Sequence, residues 1–133
     1  MTPRAVAGLT LAAVPNAVRC SRMFVRLGLR QWGLPSLAED SELVISELVT
    51  NAVQATGVTE VKPRWSQLAE LATIHVRLLL FEHSVVLAVW DRDSAPPVLG
   101  EPGTDSENGR GLFIVAALCE RWDYLPAENG KCV

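Results

Sequence analysis

Between Ser41 and Thr56 the chain reads SELVISELVTNAVQAT, and in it Glu47 and Asn51 stand four residues apart. On a helix that spacing aims both polar heads the same way. At about 100° per residue, Leu37, Val44, Leu48 and Ala55 fall within roughly 40° of one another and define a buried stripe. Asn51 falls inside that arc and Glu47 at its edge. Burying an amide without partners costs about 1–3 kcal/mol, and a carboxylate costs more. The pair is therefore either structural, with Asn51 tying a loop and Glu47 reaching solvent, or it meets a ligand.

Two other places carry chemistry. Val85, Leu87 and Val89 share one face of a strand, and the same alternation brings Asp91 onto that face where the strand stops. Strand ends that open into glycine- and proline-rich loops collect binding residues. Asp91 could accept from a ligand amino group, or it could hold the following turn through its own backbone. Asp93, just ahead of Ser94 and Pro96-Pro97, is the better turn-former. In ENGRGLFIV, Gly109 and Gly111 flank Arg110 directly before an apolar helix. Small residues admit a ligand close to the backbone, a helix N-terminus offers free N–H groups to anions, and Arg110 suits phosphate. Neither a GK[ST] loop nor a GxGxxG fingerprint is present, and a GxG alone also marks a flexible helix start. Together the three places could border one nucleotide pocket, with Asn51 as a neutral oxygen ligand for a magnesium ion that keeps its waters and phosphate oxygens.

The elements that must position these residues follow from the hydrophobic period. Ala5–Val14 reads as a first strand, and Pro15 suits the first turn of a helix. Ala17, Cys20, Phe24 and Leu27 recur at helical spacing up to Gly33 and Pro35. Ser36 with Glu39 three residues on forms a capping-box pattern that opens the helix of Glu47 and Asn51. Ile74, Val76, Leu78 and Leu80 alternate, Glu82-His83-Ser84 turns, and Val85–Trp90 returns. This hairpin is so apolar that it is expected to be covered on both faces or deep in a sheet. Arg92–Gly109 is a long loop, and RGLFIVAALCERW resumes a helix with Leu112, Val115, Ala116 and Cys119 on one face. A closing hairpin turns at Glu128-Asn129-Gly130. The order predicts an α+β two-layer sandwich, a mixed, mostly antiparallel sheet with helices on one face.

Bulk properties narrow the function. A chain of 133 residues with 49% hydrophobic content fits one domain spanning 1–133. A net charge of -3 argues for neither nucleic acid nor an anionic membrane. The three cysteines are scattered without CxxC spacing and read as reduced thiols of a cytoplasmic protein. The apolar run near the N-terminus is too short to span a bilayer and makes a poor signal peptide. Arg19, Arg22, Arg26 and Arg30 form a basic stripe, either a solvated face or a dock for an acidic partner. His75 and His83 read as structural.

ELVTNAV, VWDRDSAPP and GRGLFIV resemble the three ATP-binding boxes of the gyrase, chaperone, histidine kinase and MutL (GHKL) superfamily. The chain looks most like its small anti-sigma-factor serine kinases and related bacterial regulators. The resemblance runs from about Leu9 onward and implies the histidine-kinase-like ATPase fold. It implies that Asn51 coordinates Mg2+, that Glu47 is the general base, and that Asp91 accepts from the adenine amino group. It also implies that Gly109, Arg110, Gly111 and Leu112 form the phosphate-side box, behind an ATP lid at about residues 97–109. The implied cofactors are ATP and Mg2+. The implied partner is a protein, a sigma factor or its antagonist, with a homodimer as a further option. The implied activity is serine/threonine protein kinase, and the competing expectation is an inactive ATP-dependent binding module. Many such regulators carry a basic residue and a histidine after the asparagine box, where this chain has Gln54-Ala55. Residues 57–71 match no pattern of the family.

Overall fold

A computed structural model describes residues 2–56, 72–93, 107–123, 125–127 and 130–133, excepting the side chains of 107–111 and 126–127. The chain begins with strand β1 (Ala5–Ala12), followed by helix α1 (Asn16–Gln31). A 3-10 turn (Pro35–Leu37) then leads into helix α2 (Ala38–Thr56). Strands β2 (Thr73–Leu80) and β3 (Val85–Asp91), helix α3 (Glu107–Leu118), and strands β4 (Leu125–Ala127) and β5 (Gly130–Cys132) complete it. The strands form one sheet in the order β1-β2-β3-β5-β4, and every neighbouring pair is antiparallel. The fold is α+β, with helices packed on the sheet, as the sequence resemblance implies. The sheet expected to be mixed is antiparallel throughout its described strands.

The register decides what faces the helices. Leu9 pairs with Val76 and Val76 with Val89, while Leu78 pairs with Leu87. Ile74, Val76, Leu78 and Val89 are buried, whereas Thr73, His75 and Arg77 are exposed. The apolar hairpin is thus central in the sheet but covered on one face only. Its turn lies where the sequence puts it, with the Phe81 N–H donating to the Ser84 carbonyl at 2.8 Å. On the open face His75 accepts or donates at 2.9 Å to the Thr10 hydroxyl, and its ring lies 5.0 Å from that of Trp90.

Both long helices bury faces rotated from the expected ones. On α1 the buried residues are Ala17, Ser21, Val25 and Leu29, and Leu27 is 60% exposed. Small Ala17 and Ser21 let the helix approach, and Gly28 sits against Leu78 of β2. Bulk at Leu27 therefore marks the wrong side, while Phe24 is half-buried against the edge of the core. On α2 the stripe runs through Val44, Ile45, Leu48, Val49, Ala52 and Val53, leaving Leu37 and Ala55 exposed. This helix lies between α1 and α3 over the sheet, so it is buried along more than half its circumference. It starts at Ala38, which places Ser36 inside the 3-10 turn and not at the helix cap. Glu39 and Asp40 in its first turn complement the helix dipole. Gly33 ends α1 with φ 74°, a conformation glycine adopts without strain.

Candidate functional site

Asn51 and Glu47 are both half-buried on α2, at the border between the buried stripe and exposed Ala55. Asn51 is therefore not at the centre of the core face, as the sequence suggests, but on its rim. A rim position lets an amide reach a ligand while its stem packs. The elements bearing the candidates touch: α2 contacts β3 beneath it and α3 beside it. A hydrogen bond of 3.4 Å from the Arg92 guanidinium to the Thr56 carbonyl ties the end of β3 to the last turn of α2. Asp91 thus ends its strand next to the helix that carries Glu47 and Asn51.

Asp91 is 3% exposed on the helix-covered face of the sheet. Its Oδ1 accepts the N–H of Asp93 at 2.9 Å, so Asp91 caps the turn that follows its own strand. The same Oδ1 accepts from Nζ of Lys131 at 2.9 Å, and Lys131 also donates to the Asp93 carbonyl at 3.0 Å. Lys131 is 5% exposed and pairs with Asp91 in the ladder between β3 and β5. Burial pushes the Asp91 carboxyl above the usual carboxylate value of 3.8, and the Lys131 ammonium and Asp93 N–H pull it back only in part.

Oδ2 of Asp91 is left. No hydrogen bond reaches it from the described residues. Among the described residues the one fully buried side-chain oxygen without a partner is Ser21 Oγ on α1. A carboxylate oxygen whose twin is already engaged is an acceptor for one N–H donor.

Lys131 is the residue that sequence reasoning missed. It appeared there only as part of a closing strand. Val89 and Val133 exchange two backbone hydrogen bonds of 2.9 Å, which extend the pairing of β3 with this short strand beyond Cys132. No local signal marked it, because its partner is 40 residues away.

Gly109, Arg110 and Gly111 lie near the start of α3, which begins at Glu107, and the lid expected at about residues 97–109 falls mostly outside the described residues. Residues 94–106 and the side chains of Gly109, Arg110 and Gly111 lie outside the described residues. The Leu112 side chain is buried. A cavity of about 260 Å³ opens elsewhere, between the start of α1 and α2, lined by Pro15, Val18, Thr50, Val53 and Gln54. It faces α1, whereas Asn51 lies about 100° around the helix from Thr50.

The residues present suit a magnesium nucleotide in a particular way. Among the described residues no group of three His, Cys, Asp or Glu side chains could hold a metal unaided. A hard cation bound with a nucleotide would take most of its ligands from phosphate and water, and would need only a neutral oxygen such as that of Asn51 from the chain. Among the described residues no helix is long and apolar enough to cross a membrane.

Compared with known proteins, residues 11–133 match the histidine kinase-like ATPase domain. No curated protein matches the chain.

Proposed function

The chain belongs to the histidine kinase-like ATPase domain family, a family of ATP-binding domains, and from that premise we propose that it is a regulatory serine/threonine protein kinase of the anti-sigma-factor type. In this reading ATP is the substrate and the γ-phosphate passes to a serine or threonine of an antagonist protein. The observation that carries the nucleotide part is the free oxygen of a buried Asp91 beside the helix of Glu47 and Asn51.

Each residue then has a task. Asp91 Oδ2 accepts the 6-amino N–H of adenine. Asn51 offers its amide oxygen to Mg2+, which would neutralise phosphate charge as it develops. Glu47, one turn before Asn51, takes the proton of the acceptor hydroxyl as its oxygen bonds to the γ-phosphorus and the bond to the ADP oxygen breaks. The start of α3, with Gly109, Arg110 and Gly111, supports the phosphates through backbone N–H groups and charge.

A second reading is a nucleotide-dependent binding module without transfer, which the surface of α1 favours. Arg19, Arg22 and Arg30 are exposed there beside Met23 and Leu27, a face suited to an acidic protein with apolar side chains. Sigma factors and their antagonists are the partners this reading names. The two readings part in one experiment: the purified chain is mixed with Mg2+, γ-labelled ATP and candidate antagonists. Label on a partner serine or threonine supports the kinase. ATP-dependent complex formation without label supports the module, and absence of ATP binding overturns both.

A further inference from the structure

Lys131 is buried opposite a buried acid on the sheet face that carries the proposed base site, a place where an ammonium is costly to bury. Its three donors reach Asp91 Oδ1 and the Asp93 carbonyl, with Asp93 Oδ2 at 4.0 Å. Both ends of the turn after β3 are thus fastened to β5. Oδ1 is doubly occupied, and Oδ2 is the oxygen left for a ligand.

We propose that Lys131 is the positioning residue of the base site, fixing the Asp91 carboxylate so that Oδ2 alone faces the ligand and the site selects a 6-amino purine over a 6-oxo purine. This rests on the nucleotide reading above and adds the source of its base specificity. An ionised carboxylate can only accept, so it welcomes the 6-amino group of adenine and repels the 6-oxo oxygen of hypoxanthine or guanine. A protonated carboxyl can donate to that oxygen and loses the distinction. Burial by itself drives Asp91 toward the protonated form, and the Lys131 ammonium opposes this. Specificity for the base therefore depends on a residue that need not touch it.

The test compares ATP and ITP, which differ at position 6, by titration calorimetry on the full chain with Mg2+. Wild type should prefer ATP. Lys131→Met should lose about tenfold in ATP affinity, as expected for a hydrogen bond to a charged acceptor, while ITP binding holds or improves. Lys131→Arg, which keeps the charge, should restore the preference. Should Lys131→Met not fold, Lys131→Gln supplies a neutral donor and should show the same loss of preference. A carbon-13 NMR titration should find the Asp91 carboxyl protonating at higher pH in the neutral variants than in wild type, with no nucleotide present. A folded neutral variant with wild-type preference and an unmoved Asp91 titration overturns the role of Lys131 and leaves the nucleotide reading standing. Failure of wild type to bind ATP overturns both.

Discussion

Gly130 lies so close to the backbone carbonyl of Asp91 that a β-carbon on it would overlap that oxygen and come within 2.9 Å of the Arg92 Cα. Backbone cannot swing aside as a side chain can, so β3 and β5 would have to part. Gly130→Ala should therefore cost about 1–3 kcal/mol, the usual range for overpacking. It should also loosen the adjoining contact of Lys131 with Asp91. Urea unfolding gives the first effect, and protection of the Val89 and Val133 amides from hydrogen exchange gives the second.

Removing Lys131 alone should hurt more than removing the charged pair. Lys131→Met leaves a buried carboxylate without its cation and should lower stability by about 3 kcal/mol. The double change Asp91→Asn with Lys131→Met buries no charge and should recover most of that loss. Denaturation midpoints of wild type, both single variants and the double variant form the cycle. A loss in the double variant equal to the sum of the two single losses would show the two side chains to be uncoupled.

The acid side of the pH profile carries a signature of Asp91. Its folded carboxyl protonates above the ordinary 3.8, so the native chain takes up this proton before the unfolded one does. The contribution to stability is fully present below the unfolded value and is lost as pH rises through the folded value. Asp91→Asn should remove that gain, seen as a flatter urea midpoint in the interval just above 3.8. Over the same interval wild-type ATP binding should weaken as pH falls, because the acceptor is being protonated.

Glu47 and Asn51 should separate chemistry from binding. Glu47→Ala should abolish phosphoryl transfer and leave ATP binding largely intact, as loss of a base does. Asn51→Ala should erase the difference between ATP titrations with and without Mg2+. Transfer that survives Glu47→Ala would assign the proton to another group.

The two leucines of α1 test which face is buried. Leu29→Ala should cost about 2–5 kcal/mol, since Leu29 is wholly buried, whereas Leu27→Ala should stay within about 0.5 kcal/mol. Thermal or chemical melts of the two variants suffice.

These positions also divide what the sequence by itself determined from what the tertiary structure decided. Short-range signals carried far: the period-two alternation of the hairpin and its turn at Glu82-His83-Ser84, the stop at Gly33, and the helix of Glu47 and Asn51. All are fixed by contacts between residues a few positions apart, and the three boxes that announced the family are local strings as well. Which side of each helix is buried was not local. Leu27 and Ala55 are exposed because the partners of α1 and α2, a sheet below and a helix beside, set the covered arc, and hydrophobicity on one helix cannot reveal them. Asn51 moved from core to rim for the same reason. The pairing of Asp91 with Lys131 joins two strands far apart in the chain, and only the register of the assembled sheet brings a buried acid and a buried base within 2.9 Å.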